Sequence, residues 1–171
     1  DLTGYCLSKL SKTYCAKNSF NNKYGVPLSI FNTPQSKKFT VLEVGMNKKG
    51  EIDYLTKLIK PNLGIITNIS YAHIENFKNI NQIAEAKGEM INNIVPNGTI
   101  IINMDDKYCN YFLKKANNRN LKVISFSKKN QNADVVFISK KNNKKNFIFN
   151  FKIKNKKKSF LISKDLSNYK E

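Results

Sequence analysis

The sequence predicts an α/β fold: a mostly parallel β-sheet flanked by helices, with a small antiparallel β appendage at its C-terminal end. Three observations predict it. Short apolar runs alternate with segments of helical period, the pattern of a parallel sheet covered on both faces. From residue 133 the helical period disappears, and short strands separated by Lys/Asn turns take over. The length of 171 residues, 40% of them hydrophobic, suffices for one sizeable core and not for two full domains. The expected division is therefore residues 1–132 for the α/β part and 133–171 for an appendage of the same domain.

The first segment, "DLTGYCLSKLSK", has helical character and starts at Asp1 without a methionine, so it reads as a piece of something longer. An extended piece around "TYCAK" leads into the polar loop "NSFNNKYGVP", punctuated by Gly25 and Pro27. A strand is expected over 39–44, then a helix from about Glu51 to Lys60, and Pro61 introduces the strand "LGIITNI". The next helix runs from about Asn79 to Ile94 and is stopped by "PNG". The strand "TIIIN", a helix from Asp106 to about Ala116 and the strand "KVISF" complete the alternation. Beyond them, the lysine blocks of "ADVVFISKKNNKKNFIFNFKIKNKKKSFLIS" read as solvated turns and edge-strand protection. There is no internal repeat.

The net charge of +18, from 30 Lys+Arg against 12 Asp+Glu, invites a nucleic-acid reading. The excess is almost all lysine, however, with Arg119 the only arginine, and it accompanies abundant Asn, Ile, Phe and Tyr, as in an AT-rich genome. Base and phosphate recognition leans on arginine forks, so no nucleic-acid partner is expected. Cys6, Cys15 and Cys109 are odd in number and lack metal-ligand spacing, which argues against a disulfide framework or a zinc site. No segment has the length of a membrane span or a signal-peptide core. A monomer in a reducing cytoplasm is the expectation.

Sites of open parallel sheets lie beyond the carboxyl ends of the strands. The residues there are Glu43, then Asn68 with His73 shortly after, then Asn103 followed by Asp105 and Asp106. Polar residues end strands simply because loops are wet, and for Asn68 or Asn103 alone that explanation suffices. Glu43 is different, because it closes what reads as a buried strand, where an unpaired carboxylate is costly, and Gly45 admits another group close to the backbone. His73, the only histidine, is more often a satisfied structural residue than a ligand, though its place after a central strand favours function. Lys87 falls within the apolar stripe of Ile80, Ile83, Met90, Ile91 and Ile94. An inward lysine snorkels, pairs with an anion or is chemically modified. Beside Glu43 and His73, it suggests an anion or metal site.

The segments "NNKYGVP", "LEVGMNKKGEI", "PNLGIITNISYAHIENF", "IAEAKGEM" and "GTIIINMDD", in this order, resemble the central ATPase domain of the Mur ligases, a P-loop NTPase-like fold. The first two resemble the branch that adds D-alanyl-D-alanine to UDP-N-acetylmuramoyl-tripeptide more than the other branches or folylpolyglutamate synthase. The resemblance covers roughly residues 18 to 106. It implies an ATP-dependent amide-forming ligase of peptidoglycan synthesis, working through an acyl phosphate with ATP and Mg2+ as cofactors. On the same ground Glu43 would hold magnesium, and His73 would contribute to a second magnesium site. Lys87 would be the carbamylated lysine that helps organise that second metal. Asn21 and Asn22 would face the muramoyl-peptide substrate, while Asn68 and Asn103 would lie near the nucleotide.

The sequence also departs from the family pattern. The phosphate-binding loop GxxGK[ST] is absent, and "DLTGYCLSKL" resembles the helix that follows it. That loop cradles phosphates through backbone N–H groups, so this piece alone is expected to be inactive. Two other readings belong to different classes: a non-catalytic interaction module of the same fold, and a basic nucleic-acid-binding domain, which steeply salt-dependent binding would reveal.

Overall fold

The computed structural model describes residues 2–16, 19–71 and 74–163. Helix α1 (Leu2–Ser8) precedes β1 (Thr13–Cys15), which pairs in parallel with β2 (Phe39–Val41). Between these strands lies α2 (Gly25–Phe31), whose first three residues fall in the expected loop and for whose remainder the sequence assigns no element. Its start depends on one side chain: Asn22 Oδ1 accepts from the N–H of Tyr24 at 3.0 Å and of Gly25 at 2.9 Å. Pro27 then falls in the first turn, where a missing N–H costs no helical bond.

After α3 (Glu51–Ile59) comes the main sheet: β3 (Leu63–Ile66), β4 (Thr99–Asn103), β5 (Lys122–Ser127), β6 (Val135–Asn142), β7 (Asn146–Ile153) and β8 (Lys156–Ser163), in that spatial order. The pairs from β3 to β6 are parallel, and the last two are antiparallel. The C-terminal strands therefore extend the parallel sheet through its β5–β6 edge. The fold class read from the sequence is the one observed.

Helices α4 (Ile80–Lys87), α5 (Glu89–Asn93) and α6 (Cys109–Asn118) supply the covering layer. Ile66, Ile100 and Ile102 of the sheet are buried with Ala84, Ile91, Ile94, Phe112 and Ala116. A second cluster joins Met46, Ile52, Phe77, Ile83 and Ala86, and Ile69 packs against both clusters. Cover on both faces, expected from the continuous apolar strands, is not seen among the described residues. Leu63, Ile65 and Ile124 alternate with the buried positions and stay 48%, 39% and 37% exposed.

Four boundaries also differ from expectation, the first being β3, which ends at Ile66 rather than at Ile69. The helix expected over 79–94 is divided at Gly88, where Ile91 N bonds to Gly88 O rather than one residue further back. A Cβ on Gly88 would stand 3.1 Å from the Tyr111 ring and 3.3 Å from the Phe112 ring, so α6 packs tightly against this position. Strand β2 ends at Val41 rather than 44, because the chain turns away and Gly45 N bonds to Asn21 O at 2.8 Å. Helix α6 begins at Cys109 rather than Asp106, whose carboxylate is engaged with backbone N–H groups on either side.

Candidate functional site

The carboxyl ends of β3 and β4 bring together five of the residues singled out in the sequence. Asn103, closing β4, donates from Nδ2 to Thr67 O at 2.9 Å, and its Oδ1 accepts from Asp105 N at 2.9 Å. Lys87, on the last turn of α4, donates from Nζ to Asn68 O at 3.1 Å. Asp106 Oδ2 accepts from Ile69 N at 2.6 Å, and its Oδ1 accepts from Tyr108 N at 2.8 Å. The segment after β3 is thus held by side chains from β4, α4 and the turn before α6. Asn68 presents an exposed side chain whose Oδ1 accepts from Thr67 Oγ1 at 3.3 Å.

Lys87 is half-buried, as its place in the apolar stripe predicts. Burial lowers the pKa of its amine below the ordinary lysine value, while the nearby charge of Asp106 acts in the opposite direction. The balance enlarges the fraction of neutral amine, the form with a lone pair available for reaction.

A second group lies on the 21–45 segment. Asn21 Nδ2 donates to Glu43 Oε1 at 2.9 Å. Gly45 is what lets Asn21 approach: a Cβ there would lie 3.0 Å from the Asn21 side-chain carbon. Glu43 itself is exposed and lies beyond the end of β2. The expectation of a buried strand-end carboxylate is corrected, because the short strand leaves Glu43 in a solvated loop and removes the desolvation cost. Asn22 is occupied as the cap of α2. His73 lies outside the described residues.

Glu89 is a further acidic residue, one that the sequence does not single out. Only 8% exposed, it opens α5 two residues after Lys87 and accepts from Gly50 N and Asp53 N. An acid directly before the apolar pair Met90 and Ile91 was the available signal.

Among the described residues, no group of three or more His, Cys, Asp or Glu side chains is close enough to hold a metal ion. The donor set does fit magnesium in its commoner mode, one protein carboxylate with phosphate oxygens and waters completing the shell, and the exposed Glu43 has that chemistry. An unmodified Lys87 has no anionic oxygen to offer and fits a metal only as a carbamate.

Comparison with known proteins gives a consistent result. The Mur ligase middle domain family model matches residues 3–165. The UDP-N-acetylmuramoyl-tripeptide--D-alanyl-D-alanine ligase of Buchnera aphidicola subsp. Acyrthosiphon pisum is 33% identical over 129 residues, which is 75% of this chain and 28% of the relative. Among solved structures, MurF from Acinetobacter baumannii superposes with a TM-score of 0.83 at 26% identity, covering 94% of this chain and 34% of that one. MurF ligase from Thermotoga maritima in complex with ADP has the same fold, with a TM-score of 0.76 at 24% identity over 92% of this chain and 35% of that one. The chain spans about a quarter to a third of the length of these relatives.

Proposed function

The chain belongs to the Mur ligase middle-domain family, and on that premise we propose that it is the central-domain portion of a MurF-type ligase. The reaction is the ATP-dependent joining of D-alanyl-D-alanine to UDP-N-acetylmuramoyl-tripeptide in peptidoglycan synthesis. The peptide carboxylate attacks the γ-phosphorus of ATP and ADP leaves, giving an acyl phosphate. The amine of D-alanyl-D-alanine then attacks the acyl carbon and expels phosphate. Both substrates are polar or nucleotide-linked, which suits a cytoplasmic protein, and no helix of the described residues is long and apolar enough to cross a membrane. The reading takes the protein as a monomer.

The observation that carries this reading is Lys87: a half-buried amine with a lowered pKa at the carboxyl edge of the parallel strands. A neutral amine attacks carbon dioxide, forming an N–C bond and losing a proton, and the resulting carbamate is an anion. The carbamate keeps one N–H, so modification is compatible with the bond to Asn68 O. Glu43 would hold magnesium, with Asn21 fixing one of its oxygens, and His73 and the Lys87 carbamate would serve a second ion. Magnesium, when bound, neutralises phosphate charge and orients the transferring group. Asn68 and Asn103 stand at the strand ends that would face the nucleotide, and Asn21 and Asn22 on the loop that would face the peptide substrate. The ADP-bound relative of the same fold supports ATP as cofactor.

Reading the coding DNA upstream of codon 1 tests this function. A strand followed by GxxGK[ST] is the expected result, with the isolated chain inactive as a ligase. A start codon with no such loop would contradict it.

A further inference from the structure

Asp106 occupies a position that the proposed chemistry does not use. The segment of residues 67–71 has left the β3 ladder, and three successive residues of it are held by three separated side chains: Thr67 O by Asn103, Asn68 O by Lys87, and Ile69 N by Asp106. Only the last of these contacts involves a formal anion. The Ile69 N–H donates to the Asp106 carboxylate at 2.6 Å. The other oxygen of Asp106 holds Tyr108 N at the approach to α6, so one carboxylate ties two strand-end loops together. Ile69 packs its side chain against both core clusters, which makes its backbone a natural anchor point for the segment.

We infer that Asp106 is a positioning residue: it fixes the 67–71 segment so that the Asn68 carbonyl meets the Lys87 amine. The functional weight of this inference rests on the reading of Lys87 given above, although the geometric claim does not. The simpler alternative is that Asp106 only starts α6 through Tyr108. That alternative leaves the bond to Ile69, on a different loop, without a purpose.

The test is NMR on the isotopically labelled chain. In the unaltered protein a through-hydrogen-bond coupling should link the Ile69 amide to the Asp106 carboxyl carbon. Its absence would overturn the inference whatever the variants do. In Asp106→Ala the Ile69 amide proton should move upfield and the Lys87 Nζ and Cε signals should shift, with Asp106→Asn, which keeps one acceptor oxygen, recovering part of both changes. Lys114→Gly weakens α6 at an exposed position outside the core cluster that Ile69 packs against and should leave those signals in place. Lys87 signals that stay fixed in Asp106→Ala, or that move equally in Lys114→Gly, would overturn the positioning role. These readouts need neither nucleotide nor metal, so a failed ligase assay and a failed positioning role remain distinguishable.

Discussion

The carboxylate of Glu89 accepts the backbone N–H of Gly50, 39 residues earlier in the chain, at 2.9 Å to one oxygen and 3.1 Å to the other. One of these oxygens also takes Asp53 N at 3.0 Å. Gly50, the N-cap of α3, sits at φ 92° and has no side chain to cap its own helix. The N-terminus of α3, with its unpaired donors and partial positive charge, is therefore capped by another helix. The same contact ties the loop after Glu43 to the elbow that bears Lys87.

Glu89→Ala removes the acceptor and leaves part-buried donors at the start of α3 without their partner. It should cost about 1–3 kcal/mol in denaturant unfolding, with faster hydrogen exchange at Gly50 and Asp53. Glu89→Gln keeps one acceptor oxygen and should lose less.

Gly25→Ala should be among the more damaging single-methyl additions. Its Cβ would stand 2.5 Å from Phe20 Cα and 2.7 Å from the Phe20 carbonyl carbon. Backbone has to move, at a cost of about 1–3 kcal/mol. Because Phe20 immediately precedes Asn21, the Asn21–Glu43 bond should weaken as well, visible as a shift in the Asn21 side-chain amide signals.

Acid stability should depend on Asp134. The N–H and hydroxyl of Ser125 donate to its carboxylate and hold its pKa below the ordinary value. A carboxylate depressed in the folded state adds stability that is fully present above its unfolded pKa, about 4. That stability is lost as pH falls through the lower folded value. Denaturation midpoints measured from pH 6 downward should therefore fall below about pH 4, and Asp134→Asn should flatten that part of the curve.

Lys87 should be the modified lysine in the product of the complete reading frame. With 13C-bicarbonate and magnesium, a carbamate carbon signal is expected that Lys87→Arg abolishes. Persistence of the signal in that variant would assign the modification to another lysine.

The sequence is most legible where one physical demand dominates. The apolar runs of β3, β4 and β5 read as parallel strands because both their faces are hydrophobic, and Lys87 stood out because a lysine interrupts an apolar stripe. The misreadings have local causes. Helix α2 depends on a single side-chain cap at Asn22 within a polar stretch, which composition alone reads as loop. Glu43 looked buried because the apolar run continues past Val41, whereas the chain has already turned toward Asn21. Glu89 and Asp106 act across separations of 36 to 39 residues, and no local pattern announces such partners. The exposed Leu63, Ile65 and Ile124 give no sequence signal that distinguishes them from covered strand residues.

The most direct test of the central claim is a ligation assay on the product of the complete reading frame that contains this chain. It is predicted to release phosphate from ATP only when UDP-N-acetylmuramoyl-tripeptide and D-alanyl-D-alanine are both present. The joined peptide should form in step, and Glu43→Gln should reduce the rate by about 100-fold or more. ATP turnover without joining, or full activity in Glu43→Gln, would contradict the account.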